Sequence, residues 1–202
     1  MFTGIVAAVG KIAHVASLGG ADAGVRLQIE AAALGLDDVA IGDSIAIQGA
    51  CMTVIAKTAT TFDVEVSRES LSKTAGLDGS GEVNLEKAMR PTDRLGGHMV
   101  SGHVDGLGEV VKFEPVGESW ELVIRAPKAL ARYLAYKGSI TVNGVSLTVN
   151  RVVDVDAGTE ISINLIPHTI SVTTLQHLRA GARVNLEIDL IARYVERMLT
   201  AK

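Results

Sequence analysis

Two histidines lie five positions apart in the segment Gly96 to Gly106, GGHMVSGHVDG, together with four of the chain's 21 glycines. Such a pair can ligate a metal, move a proton or mark a seam between domains. On one extended strand an odd separation sends His98 and His103 to opposite faces, and no Cys pair, HExxH helix or carboxylate-rich loop completes a metal site. Ser146, His103 and Asp189 assemble a Ser-His-Asp hydrolase on paper. No GxSxG elbow accompanies them, and the serine sits in an alternating stretch instead of a strained strand-to-helix turn. Cys51, the sole cysteine, reads as a nucleophile or as a small buried hydrophobe. Each remaining candidate has an ordinary reading too: Lys137 as a solvated charge, Asp189 as a helix cap, His168 as a surface loop residue, and Ser146 with Thr148 as the wet face of a half-buried strand.

Duplication of these residues argues that they matter. MFTGIV at the start is echoed by MVSGHV (Met99 to Val104), 98 positions on, and GDSIAIQGACMTV (Gly42 to Val54) by KGSITVNGVSLTV (Lys137 to Val149), 95 positions on. TFDVEVSRESL (Thr61 to Leu71) then pairs with EISINLIPHTI (Glu160 to Ile170), and EVNLE (Glu82 to Glu86) with RVNLE (Arg183 to Glu187). Four blocks in one order predict a domain of about one hundred residues present twice. GGHMVSGHVDG is then the seam, with AMRPTDRLGG (Ala88 to Gly97) as connector. The boundaries expected are 1–97, 98–188 and a terminal helix over 189–202.

The elements that must position the chemistry are strands. In SITVNGVSLTVNRV, Ile140 and Val142 alternate with polar neighbours, Asn143-Gly144 supplies a two-residue hairpin turn, and Val145, Leu147 and Val149 alternate with Ser146, Thr148 and Asn150. Ser146 and Thr148 share a face, as do Cys51 and Thr53 after the Gln48-Gly49 turn. Helices are expected to be short: APKALARYLAYK with Pro127 in its first turn, and a turn or two at SRESLSKTAG. The clearest is DLIARYVERMLTAK, capped by Asp189, with Ile191, Tyr194, Val195, Met198 and Leu199 on one stripe.

Composition agrees. Of 202 residues 48% are hydrophobic and only 3% aromatic, so the cores are built from Val, Ile, Leu and Ala and lean toward strands. A net charge of -4 leaves no basic excess for nucleic acid. One cysteine rules out an intrachain disulfide and suits a reducing compartment. The start has no secretory pattern and no apolar run approaches a membrane span, so a cytoplasmic protein with neither membrane nor nucleic-acid partner is expected.

The blocks MFTGIV, GDSIAIQGACMTV, GGHMVSGHVDG, KGSITVNGVSLTV, LIPHTI followed by Thr173 and Thr174, and NLEID before YVER resemble the lumazine-binding family of riboflavin synthase alpha chains, over nearly the whole chain. The resemblance implies an all-β fold of two six-stranded Greek-key antiparallel barrels plus a C-terminal α-helix, assembled as a homotrimer through those helices. It implies dismutation of two 6,7-dimethyl-8-ribityllumazine molecules, with a four-carbon unit moving between them to give riboflavin and 5-amino-6-ribitylamino-2,4-pyrimidinedione, without cofactor or metal. The active site implied lies between the N-terminal barrel of one subunit and the C-terminal barrel of its neighbour.

Carried over by position, the family's ligand contacts fall on Gly4, Ile5 and Val6, on Cys51, Met52 and Thr53, and on Glu65, Val66, Ser67, Arg68, Glu69 and Ser70. In the second copy they fall on Gly102, His103 and Val104, on Lys137, on Ser146, Leu147 and Thr148, and on Asn164, Leu165, Ile166, Pro167, His168 and Thr169. Turnover is associated with Phe2, Cys51, His103, Ser146, Thr148 and Asp189. Backbone N–H groups beside Gly4 and Gly102 are expected to stabilise the anion left when a lumazine methyl loses its proton, with His103 and Ser146 shuttling protons. Two departures are visible: Ser70 where relatives commonly carry threonine, and Met52 where leucine is more usual. The family also contains lumazine proteins that hold the ligand without turning it over, and these are the competing reading.

Overall fold

The computed structural model describes residues 1–20 and 23–201. Strands β1 (Ala8–Ser17), β2 (Val25–Glu30), β3 (Ser44–Ile47), β4 (Ala50–Lys57), β5 (Thr61–Val66) and β6 (Gly81–Lys87) close into one barrel in the order β1-β2-β5-β4-β3-β6. Strands β7 (Gly106–Val116), β8 (Ser119–Ala126), β9 (Ser139–Val142), β10 (Val145–Val155), β11 (Gly158–Leu165) and β12 (Arg183–Ile188) close a second barrel with the same neighbour pattern. All pairings are antiparallel, and β2 lies beside β5 instead of β3, the Greek-key jump.

Alternation explains the strands. In β2, VRLQIE, Leu27 and Ile29 are buried while Arg26, Gln28 and Glu30 face water. Closure needs strong bending, and the register shifts that supply it recur at matched places: Ile12/His14 in β1 and Val110/Lys112 in β7, then Val54/Ala56 in β4 and Val149/Arg151 in β10. The two barrels keep separate aliphatic cores, one around Ile29, Phe62 and Val83, the other around Leu122, Ile161 and Val184.

The hairpins between β3 and β4 and between β9 and β10 are the two-residue turns expected from sequence. Gln48-Gly49 and Asn143-Gly144 all have positive φ, 51° and 87° in one, 49° and 82° in the other. Their tips meet back to back. Asn84 donates through Nδ2 to the Asn143 carbonyl (2.8 Å), and its repeat mate Asn185 donates to the Gln48 carbonyl (2.9 Å). The barrels therefore face each other across an approximate two-fold axis lined by satisfied, buried amides.

Two helical segments differ in detail from expectation. The stretch after Pro127 is a 3-10 helix, Lys128–Tyr133, in which Leu130 turns into the barrel core. Pro167 opens a short helix where the sequence predicts a surface loop; α1 (Arg68–Lys73) and α2 (Pro167–Ser171) thus stand at equivalent places after β5 and β11. Ser67 caps α1 by accepting from the Ser70 amide (3.1 Å), whereas α2 begins on Pro167 at its first turn. The last helix, α3 (Leu190–Thr200), is capped as expected by Asp189, which accepts from the Ile191 amide (2.9 Å). Lys202 lies outside the described residues.

Candidate functional site

The residues ahead of each barrel do not stay with it. Phe2 and Val100 pair antiparallel, and from that crossing each arm passes to the other barrel. The Ser146 amide donates to the Gly4 carbonyl (2.7 Å), and the Cys51 amide donates to the Gly102 carbonyl (2.8 Å). Val6 packs on the second core and Val104 on the first. The sequence resemblance grouped Gly4, Ile5 and Val6 with the first copy and Gly102, His103 and Val104 with the second. The structure exchanges them.

Close backbone contact explains the glycines in these arms. Both have positive φ, 75° at Gly4 and 78° at Gly102. A Cβ on Gly4 would stand 2.6 Å from the Cβ of Ser146, and one on Gly102 would stand 2.7 Å from that of Cys51. A larger residue would have to push the opposing strand away.

One cleft, of about 200 Å³, lies on the first barrel between Cys51, Met52, Gly102, His103, Val104, Glu69 and Ser70, with Ala50, Lys73 and Thr74 completing it. Lys73 and Thr74, at the end of α1, were not among the residues expected. Thr53 is exposed on β4 one pleat beyond Cys51. Glu65 is exposed and ion-paired with Arg26 (2.7 Å). Val66 is 1% exposed and Met52 7%, both within the first core. Substituting methionine for leucine at position 52 is therefore a packing change. Ser70 bonds Ser67 (3.0 Å between hydroxyls), so the hydroxyl that replaces the usual threonine stays in the helix cap.

On the second barrel the Gly4 arm lies against Ser146, Val6 and Leu147 pack on the same core, and Ile5 and Thr148 are exposed. Lys137 occupies a left-handed conformation, φ 61°, at the place where the first copy has Gly42, φ 97°. A long side chain retained in a conformation that favours glycine points to a role for that side chain; its ammonium donates to Asn150 Oδ1 (2.9 Å). Asn164 accepts from Ser119 (2.8 Å). Leu165 is 1% exposed and faces the core, while Ile166, Pro167 and His168 are exposed on the rim with Thr169 half-buried.

Beside Ser146 stands His98, not His103. His98 Nδ1 and Ser146 Oγ share a hydrogen bond of 2.7 Å, and Nε2 lies 3.3 Å from Thr141 Oγ1. Burial pushes the His98 imidazole below its ordinary pKa, and the charge of Asp189 pulls it partly back. Burial thus favours the neutral imidazole, the form able to accept a proton from the hydroxyl. Serine, histidine and a nearby aspartate are brought together, though with His98 in the place where the sequence alone suggests His103. His103 lines the Cys51 cleft instead. Forty-eight residues separate His98 from Ser146, and no local pattern reports such a contact.

Phe2 is fully buried with Ala46 and Val100, against Cys51, so it shapes the cleft by packing. The N–H groups of Gly4 and Gly102 point inward, donating to buried Glu86 (3.0 Å) and Glu187 (3.0 Å), and are not free to stabilise an anion on a ligand.

Comparison with known proteins adds the family. The lumazine binding domain matches the chain twice, over residues 3–88 and 101–189. Riboflavin synthase of Photobacterium phosphoreum is 46% identical over 201 residues, spanning 98% of this chain and 89% of that protein. Riboflavin synthase of Bacillus subtilis (strain 168) is 40% identical, spanning 98% and 90%. Among solved structures, LumP complexed with 6,7-dimethyl-8-(1'-D-ribityl) lumazine is 25% identical with TM-score 0.78, covering 93% of this chain and 98% of that one. LumP complexed with riboflavin is 27% identical with the same TM-score. With two barrels of one topology, exchanged arms and two family matches covering nearly its whole length, the chain belongs to the lumazine-binding-domain family.

Proposed function

We propose that this protein is a riboflavin synthase, a transferase that dismutates two molecules of 6,7-dimethyl-8-ribityllumazine into riboflavin and 5-amino-6-ribitylamino-2,4-pyrimidinedione. The observation that carries the reading is the joint presence of near-full-length relatives with that name and of Cys51 and Ser146 at repeat-equivalent places on the two barrels, each against the other copy's arm. Each cleft takes one lumazine. The rim residues Glu65 to Ser70 and Asn164 to Thr169, with Lys137, hold the ligand, and the Gly4 and Gly102 arms close over it.

Chemistry at the second cleft runs through Ser146 and His98. The hydroxyl meets the ligand, and His98, neutral and hydrogen-bonded behind it, takes up or returns the proton that a lumazine methyl exchanges. Asp189 favours the imidazolium while the proton is held. Cys51 at the first cleft adds to the acceptor ring or orders the water that does so. Much of the acceleration comes from holding two identical reactants in opposed orientation, an effect worth up to roughly 7–11 kcal/mol.

As the resemblance to riboflavin synthases implies, a complete reaction site forms where the first barrel of one subunit meets the second barrel of its neighbour. Support for a homotrimer is the way α3 sits. Its polar side is tied to its own chain through Arg193 to Asp105 (2.7 Å) and Glu196 to Arg132 (2.6 Å). Its apolar stripe faces outward, with Met198 78% and Leu199 81% exposed. A cytosolic location fits the single cysteine, and among the described residues no helix is long and apolar enough to cross a membrane.

The likeness to LumP gives the second reading, a protein that holds its ligand without converting it. Equilibrium titration with 6,7-dimethyl-8-ribityllumazine, watched for flavin, separates them. Two ligands bound per chain with flavin appearing supports the synthase; one tight ligand per chain and no flavin assigns the protein to the holding class.

A further inference from the structure

We propose that Glu86 and Glu187 are positioning residues that act across the two-fold axis. Each fixes the arm of its own barrel so that the arm completes the cleft on the other barrel. Glu86 then serves the Ser146 cleft and Glu187 serves the Cys51 cleft. The inference rests on reading the two clefts as the ligand sites.

The geometry is the same twice. Glu86, at the end of β6, accepts from the Thr3 amide (2.7 Å), the Thr3 hydroxyl (2.7 Å) and the Gly4 amide (3.0 Å). Glu187, its repeat mate in β12, accepts from the Ser101 amide (2.7 Å), the Ser101 hydroxyl (2.6 Å) and the Gly102 amide (3.0 Å). The far side of each arm carries the consequence. The Thr3 carbonyl accepts from the His98 amide (3.2 Å) and the Gly4 carbonyl from the Ser146 amide (2.7 Å), so one carboxylate sets the backbone of both members of the proton-shuttling pair. The Gly102 carbonyl accepts from the Cys51 amide, so the other carboxylate sets the thiol.

Three donors converging on one group call for acceptors only. A carboxylate provides them, whereas a glutamine amide would aim an N–H at one of the donors. Both side chains are buried, 8% and 3% exposed. Desolvation pushes both carboxyls upward while the converging donors pull them down. A carboxyl placed at such a desolvation cost where a neutral residue would fill the space indicates that the arm's exact seating matters.

The test uses the full chain and two native reporters: the sole cysteine, through its rate of reaction with 5,5′-dithiobis-(2-nitrobenzoate), and the NMR titration midpoint of His98. Glu187→Gln should change the Cys51 rate by about threefold or more while leaving His98 in place. Glu86→Gln should move the His98 midpoint by about half a pH unit or more while leaving the Cys51 rate within about twofold. If each variant instead disturbs the reporter on its own barrel, disturbs both alike, or moves neither, the positioning role is overturned. Should a glutamine variant fail to fold, Thr3→Val and Ser101→Ala each remove one donor to the carboxylate, and the same crossed pattern is expected at smaller amplitude; its absence overturns the proposal. Neither reporter needs a ligand. A crossed pattern in a protein that forms no flavin would therefore fail the synthase reading alone, and flavin formation with an uncrossed pattern would fail this one alone.

Discussion

His98 is the residue whose surroundings say most about its task. Burial lowers its pKa, so as pH falls through about 6.5 the unfolded chain takes up the proton more readily than the folded one. The stability that neutral His98 contributes is present above that pH and lost on acidification toward the lowered folded value. An NMR titration should accordingly find one of the five histidines with a midpoint below the ordinary value, and His98→Gln should remove that signal; a midpoint at or above the ordinary one would contradict the account. Ser146→Ala leaves the fold and the rim of the cleft intact but removes the hydroxyl. Turnover should fall by about a hundredfold or more, the scale of general acid-base help, while ligand affinity changes little. Equal losses in both would make Ser146 an ordinary binding group.

At the scale of elements the arms and α3 carry the argument. Gly102→Ala forces a Cβ to 2.7 Å from that of Cys51 in a left-handed conformation, with strain of about 1–3 kcal/mol. Thermal or chemical denaturation should register that loss, and binding at the Cys51 cleft should weaken more than at the Ser146 cleft; an unchanged protein would mean the arm is looser than drawn. For α3, truncation before Tyr194 removes four of the five apolar stripe residues. The shortened chain should sediment as a monomer with sharply reduced activity, since its two barrels already have closed cores without the helix. A truncated chain that remains trimeric and active would refute the role given to the stripe.

Across the whole molecule, the duplicated fold was legible because its signals are local: alternation in SITVNGVSLTV, the Asn-Gly turn, and blocks that recur at nearly constant offsets. The Asp189 cap and the outward stripe of α3 were legible for the same reason. What could not be read is what tertiary contact decides. Repeat alignment assigns Gly4 to the first barrel and Gly102 to the second, but the crossing at Phe2 and Val100 swaps them, and only the assembled pair of barrels contains that information. His98 escaped as a partner of Ser146 for the same reason, and Glu86 and Glu187 because a carboxylate ending a strand pattern reads as solvated until the fold buries it. The APKALARYL stretch has helical periodicity, yet it tightens into a 3-10 turn to bring Leu130 over the barrel core.

The claim on which the account turns is that two like molecules exchange a four-carbon unit on this protein. Purified protein should be mixed with 6,7-dimethyl-8-ribityllumazine alone and the mixture resolved by chromatography as the reaction proceeds. The account predicts that every two lumazines consumed yield one riboflavin and one 5-amino-6-ribitylamino-2,4-pyrimidinedione; lumazine that binds and is recovered unchanged would contradict it.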